Sequence, residues 1–252
     1  METMEKEVRV DTFLAEDVKS LDLQIAAAAV RTEKSAGGEI RVEAKNLQDG
    51  RYTCELRSGK LVIVYKAEGV IHLHRFDQDE AEIMLYLPVN MSLDDVSLVI
   101  GAGSMDLDAV PIACIQMKVE IGAGKWKAAH LSIADGLHVE IGAGKAKMKG
   151  VTTGRLNIDC GVGSSVYKGK INGDVKVSCG VGNCNFQLEN KENDFNYDVS
   201  CAVGSVKING SRLRSFASKK SYKNESALGT AVLECGLGSI EWRTDGILYE
   251  KS

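Results

Sequence analysis

Between about residues 95 and 245, apolar side chains occupy every second position, and glycine-containing strings interrupt this alternation. Leu98 and Ile100 precede the glycines of one string, and Val119 and Ile121 precede those of the next. The alternation resumes afterwards at Trp126. A period of two indicates a β-strand with one buried face. Each unit therefore predicts a strand, a glycine corner, a second strand and a looser return turn.

Seven copies of the string share a glycine at the fourth position. Three copies read Ile-Gly-Ala-Gly, two read Cys-Gly-Val-Gly, and one each reads Cys-Ala-Val-Gly and Cys-Gly-Leu-Gly. Ile25–Ala28 forms a degenerate eighth copy. Stacking equivalent strands in parallel would bury all the apolar faces at once, so we predict that the glycines are structural turns in one column. They are Gly103, Gly124, Gly144, Gly163, Gly182, Gly204 and Gly238.

The units are too short for a βαβ crossover and show no helical period. We therefore predict an all-β, single-stranded parallel β-solenoid, right-handed, with rungs of about 20 residues and capped ends. Residues 1–20 would form an N-terminal segment and 21–252 a single domain, with regular rungs over about 95–245 and an irregular cap over about 40–94. The Ser- and Lys-rich segment Ser211–Ala227 predicts a surface loop.

Residue types change together at the corner. Where Ile precedes the first glycine, Ala lies between the glycines; where Cys precedes it, Val or Leu lies between them. We interpret this as a volume exchange between two core-facing positions. Four thiols would then fill the core. The alternative is that these stacked thiols form a metal or redox site, although no inward-facing His or Asp completes a tetrahedral set of ligands. These thiols belong to Cys160, Cys179, Cys201 and Cys235.

Outward positions carry charge on both sides of the corner. Glu120, Glu140 and Asp159 form an acidic column before it. Opposed like charges are unfavourable, so a lysine cluster after the corner predicts a surface for an anion or partner: lipid head groups, an anionic wall polymer or nucleic acid. A solvated face that guards against edge association is the alternative. The lysines are Lys125, Lys127, Lys145, Lys147 and Lys149.

Composition narrows the function classes. The net charge of −4 and the lack of exposed aromatics in the cluster argue against nucleic acid. No signal peptide or transmembrane run occurs, and seven scattered Cys favour reduced thiols. We therefore expect a cytoplasmic protein, or a cell-surface protein if a leader has been removed. We expect no catalytic, cofactor or metal site, with His72 and His74 as the alternative start of a metal site.

Several segments carry a family resemblance: Leu21–Val30, Tyr52–Leu56, Leu61–Tyr65, Ile83–Pro88 and the Ile-Gly-Ala-Gly strings. Over about residues 20–245 the chain resembles the bacterial "putative adhesin" domain family of unknown function. The resemblance implies a β-solenoid, a bacterial origin, an association with cell-envelope stress systems and no catalytic residues.

We accordingly predict a non-enzymatic scaffold or binding module, associated with the cell envelope, that presents its surface to a protein or to an anionic polymer or lipid. One alternative is a structural protein that assembles end to end into filaments, as bactofilins do, forming a homo-oligomer through the solenoid ends. A less favoured alternative is a carbohydrate-active enzyme of the β-helix class, which would need clustered acidic and basic side chains in one groove.

Overall fold

The computed structural model describes residues 8–66, 80–213, 218–222 and 225–244. The protein is all-β, as predicted, with 67% strand and 3% helix. In the described ranges, twenty-two strands join in one mixed sheet that curves into a nearly closed barrel shape. The strands are β1 Arg9–Leu14, β2 Ser20–Ile25, β3 Ala29–Lys34, β4 Glu39–Lys45, β5 Tyr52–Arg57, β6 Lys60–Tyr65, β7 Glu82–Leu87, β8 Ser92–Ile100, β9 Ser104–Leu107, β10 Ile112–Ile121, β11 Lys125–Ala129, β12 Leu131–Ile141, β13 Lys145–Cys160, β14 Ser164–Ile171, β15 Val175–Cys179, β16 Asn183–Leu188, β17 Phe195–Cys201, β18 Ser205–Ile208, β19 Ser211–Leu213, β20 Ser218–Tyr222, β21 Gly229–Cys235 and β22 Ser239–Arg243.

The strands that precede the glycine corners lie side by side and parallel. Their order is β2, β8, β10, β12, the end of β13, β15, β21 and β17. The last residues of these strands are in register, from Ile25 and Ile100 to Cys235 and Cys201. The strands that follow the corners form a second parallel set, from β3 and β9 to β22 and β18.

The predicted single-stranded parallel β-solenoid is wrong, and so is its description as a parallel β-helix or repeat protein. Antiparallel pairs β1–β4, β4–β7 and β5–β6 join the sheet at one end, and β17–β20 and β18–β19 join it at the other. The result is the mixed, nearly closed sheet. One cause is local: Ser58 and Gly59 have φ of 48° and 79°, as in a two-residue hairpin turn that reverses β5 into β6.

Segments outside the glycine strings contribute strands that the alternation did not predict. Arg9–Leu14, in the predicted N-terminal segment, pairs with β4. β19 and β20 lie in the predicted surface loop. The chain also departs from sequential stacking, because β21 lies between β15 and β17.

The core lies between the strand sets and is aliphatic and aromatic. Trp126 and Trp242 are its largest fully buried side chains. At the C-terminal end, the Trp242 ring lies 5.0 Å from the Phe186 ring and 5.5 Å from the Phe195 ring, centroid to centroid. This packing fixes the backbone of the strands whose outward side chains form the surfaces below.

Candidate anion-binding surface

Two adjacent parallel strands, β11 and β13, bring the five predicted lysines together. Lys125 is the register partner of Lys145, and Lys127 is that of Lys147. Lys149 lies one alternation further along β13. The side chains that alternate with these lysines along the two strands are buried, so the lysines lie on the outer face of the sheet. The buried side chains are those of Trp126, Ala128, Ala146 and Met148.

A sixth lysine, which the sequence analysis missed, extends this lysine surface. Lys168 of β14 is the register partner of Lys149. The two preceding outward residues of β14, Ser164 and Val166, carry no charge, so the basic pattern is interrupted near the corner. The alternation beyond Val166 was the signal that could have identified Lys168.

Only part of the lysine surface is neutralised. The Lys127 ammonium lies 3.1 Å from an Asp106 carboxylate oxygen and also contacts Asp108. These hydrogen bonds, the one to Asp108 first, raise the pKa of Lys127. In the described part of the chain, no carboxylate lies within ion-pair distance of Lys125, Lys145, Lys147 or Lys149, so these four cations are available to a ligand.

The acidic column lies on the other side of the corner, where Glu120, Glu140 and Asp159 are in register. Lys118 Nζ lies 2.7 Å from Glu120 and 3.9 Å from Glu140. His138 Nε2 lies 2.7 Å from Glu140, and this hydrogen bond lowers the pKa of the Glu140 carboxyl. The corner therefore separates a partly compensated acidic face from a largely uncompensated basic one.

A groove of about 910 Å³ crosses the outer face of six strands, from β8 to β21. The lining of the groove includes one row of residues that are in register across the six strands. It also includes Asp135, which accepts hydrogen bonds from Gln116 at 3.0 Å and Arg155 at 2.5 Å. Sequence analysis did not predict this groove, and the alternation did not predict the register shifts after Cys114 and Ile133. The row consists of Ser97, Lys118, His138, Asn157, Lys176 and Val232.

Comparisons with known proteins identify no family for the chain. No family model matches, and no curated protein matches. Several solved structures match the chain over most of their length, three of which follow. A "putative cell adhesion protein" from Clostridium sporogenes has 14% identity and a TM-score of 0.44, covering 95% of this chain and 100% of that one. A "putative adhesin" from Bacteroides fragilis has 11% identity and a TM-score of 0.48, with coverage of 93% and 96%. A "putative adhesin" from Parabacteroides distasonis has 14% identity and a TM-score of 0.35, with coverage of 94% and 97%.

The glycines predicted as structural turns lie in one column. A Cβ atom added at any of them would collide with the carbonyl oxygen of the adjacent level, so close backbone stacking requires glycine here. Ala28 of the degenerate copy lies against Gly103 at the N-terminal end, and Gly238 lies between Gly182 and Gly204.

All seven cysteines are unpaired and buried. Burial raises the pKa of Cys235 to about 11. Hydrogen bonds with Cys160 and Cys179, followed by burial, raise that of Cys184. Across the described ranges, no group of three or more His, Cys, Asp or Glu side chains could hold a metal ion. His72 and His74 lie outside the described residues.

No described helix is long and apolar enough to cross a bilayer.

Proposed function

We propose that this protein is a non-enzymatic binding module that holds an anionic partner on the lysine surface. The observation that carries the proposal is the set of four lysines on two paired strands, none of which has an ion-pair partner among the residues that the structure describes: Lys125, Lys145, Lys147 and Lys149. Like charges on adjacent strands repel one another, and an anionic ligand would relieve that repulsion.

The lysine spacing favours a ligand with several negative charges. Neighbouring strands lie about 4.8 Å apart and alternate residues of one strand about 6.6 Å apart. Three of the four lysines follow one another along β13 and Lys125 lies beside the first of them, so a single carboxylate cannot span the set. Buried side chains such as Trp126 and Met148 anchor the backbone, so the backbone loses little conformational entropy when a ligand binds.

Phosphodiester groups, in anionic lipids or in wall polymers, are the ligand chemistry that we propose. The family resemblance of the sequence supports a bacterial cell-envelope setting. Seven unpaired cysteines support a reducing compartment, so for a lipid partner we propose the cytoplasmic side of the membrane as the location. A wall-polymer partner would instead place the protein at the cell surface. End-to-end filament assembly is less well supported, because the outermost described strands, β1 and β5 at one end and β19 and β20 at the other, are antiparallel.

Two arms test the proposal: co-sedimentation with phosphatidylglycerol vesicles, and isothermal titration calorimetry with soluble polyglycerol phosphate. Phosphatidylcholine vesicles report non-ionic binding. A variant with the four unpaired lysines changed to Ser should lose at least about tenfold in affinity. Native binding should weaken as salt rises, because the Debye length is about 10 Å at 0.1 M.

A matched control variant has the same change in charge away from the lysine surface and should bind as the native chain does. Equal binding by the lysine-surface variant and the native protein would refute the proposed site. Vesicle binding without polymer binding would identify lipid as the partner, and the reverse would identify the polymer. The control changes Lys34, Lys45, Lys60 and Lys207 to Ser.

A further inference from the structure

The residue between the two corner glycines is exposed, not buried. Val162, Val181, Leu237 and Val203 are exposed by 66%, 56%, 63% and 61%. The predicted volume exchange between two core positions is therefore wrong, because only the Ile or Cys position faces inward. The glycines turn the chain so that the residue between them points away from the core.

These residues stack on successive levels of the sheet. Val181 N donates to Gly161 O at 2.8 Å, and Leu237 N donates to Gly180 O at 2.8 Å, which fixes each level on the next. We call the whole row the corner ridge. In stacking order it consists of Ala27, Ala102, Ala123, Ala143, Val162, Val181, Leu237 and Val203.

The corner ridge is a continuous apolar strip. All eight positions are aliphatic, and its four large side chains extend over about 15 Å at a strand spacing of about 4.8 Å. Isolated exposed apolar residues are ordinary, whereas a contiguous strip rimmed by polar residues marks an interaction surface.

Opposite charges border the strip. Glu120 and Glu140 lie on one side of the corner ridge, each immediately before the buried Ile of its corner. Lys125 and Lys145 lie on the other side, each immediately after the second glycine. Opposite charges therefore border the strip beside Ala123 and Ala143, whereas the residues after the second glycine beside Val162 and Val181 are the uncharged Ser164 and Asn183.

We propose that the corner ridge packs against the corner ridge of a second copy of this chain, in a dimer whose two-fold axis runs along the ridge. This rotation places each level against the same level of the partner and exchanges the two flanks. Glu140 of one copy then faces Lys145 of the other. A two-fold axis across the ridge would instead oppose acid to acid.

The side-chain sizes fit this arrangement. Val162, Val181, Leu237 and Val203 form an apolar contact in the C-terminal half. Small alanines occupy the N-terminal half, so the long charged side chains that flank it can reach across the axis. An anionic membrane is a poorer occupant, because the acidic flank would be repelled from it.

The dimer is compatible with the proposed function but does not depend on it. Lys125 and Lys145 would face the acidic flank of the partner copy, so an anionic ligand on the dimer would contact Lys147, Lys149 and Lys168, which lie farther from the corner.

Analytical ultracentrifugation of the full chain over the micromolar range tests the dimer. The native protein should pass from monomer to dimer. A ridge variant, with Val162, Val181 and Leu237 changed to Ser, should stay monomeric or dimerise at least about tenfold more weakly. A control variant, in which Val10 and Ile115 are changed to Ser, should dimerise as the native chain does, because both side chains are exposed elsewhere. At a concentration where the native chain is monomeric, circular dichroism should show the same melting for the ridge variant, because its three changed side chains are largely exposed.

Charge reversal tests the direction of the axis. Glu140→Lys alone and Lys145→Glu alone should each weaken the dimer, and the double variant should restore it. A monomer at every concentration, or a ridge variant that dimerises as well as the native chain, would overturn the proposal. A double variant that is weaker than both single variants would overturn the proposed axis. Vesicle binding is a separate measurement, so the dimer and the lysine surface can fail independently.

Discussion

Substitution of Gly124 by Ala tests the close contact between neighbouring corners. A Cβ atom at this position would lie 2.6 Å from Gly103 O and 2.7 Å from Ile100 Cγ2. The oxygen belongs to the backbone and cannot rotate away. It also accepts a 3.0 Å hydrogen bond from Lys125 N, so moving it would strain the ladder between two strands.

The expected cost follows from these contacts. Overpacking costs about 1–3 kcal/mol, and a weakened backbone hydrogen bond about 0.5–1.5 kcal/mol. Restriction of the unfolded chain by Ala offsets about 0.4–1 kcal/mol. We therefore expect Gly124→Ala to lower the free energy of unfolding by about 2–3 kcal/mol. At about 2–4 °C per kcal/mol for a chain near this size, Tm should fall by about 4–12 °C.

Urea denaturation followed by circular dichroism measures the change. Gly122→Ala, whose Cβ would lie 3.0 Å from Gly101 O, should cost less. Gly37→Ala, which has no atom within 4 Å of the added Cβ, should stay within about 0.5 kcal/mol of the native value. If Gly124→Ala were as stable as Gly37→Ala, the corners would not be stacked as described.

Two further predictions concern the thiols and the strand order. Burial raises the pKa of Cys54 and that of Cys114 to about 12, so these thiols should stay protonated at neutral pH. A bulky thiol reagent should therefore modify them only in denaturant. Rapid labelling of either thiol in the native protein, detected by mass spectrometry, would contradict this expectation. The strand order predicts that the double variant Ser178→Cys/Glu234→Cys forms a disulfide on oxidation, because neighbouring strands lie about 4.8 Å apart. The double variant Ser178→Cys/Ser200→Cys should not, because these residues are two strands apart. Peptide mapping by mass spectrometry without reductant distinguishes the outcomes, and a disulfide between positions 178 and 200 would exclude the observed strand order.

Local patterns predicted the all-β class and the register of the corners. Ile100, Ile121 and Ile141 are the first residues of identical strings, and the structure pairs them in register. The prediction succeeded because alternation and tight turns are properties of short segments. It also placed the lysines of β11 and β13 on one face, since two strands with the same spacing after a corner must present the same positions.

The mixed character of the sheet depends on contacts that are distant in sequence. Residues of β1 pair with β4, and β4 then pairs with β7, across loops whose lengths do not determine strand direction. Ser58-Gly59 was a local hairpin signal for β5 and β6. The position of Val162 could not be assigned by alternation, because the period of two is interrupted between the glycines of a corner.

The order of the last strands has a physical explanation that sequence spacing does not contain. Every Cys-containing string has the same register, so β21 could stack on either side of β17 without changing the corner. With β21 inside, Trp242 is the register partner of Phe186 on one side and Ile208 on the other, and it is fully buried. Sequential stacking would place Trp242 at the end of the parallel set, with one face of its ring uncovered. Burying the largest side chain of this region, and leaving the smaller Ile208 near the end, therefore favours the observed order.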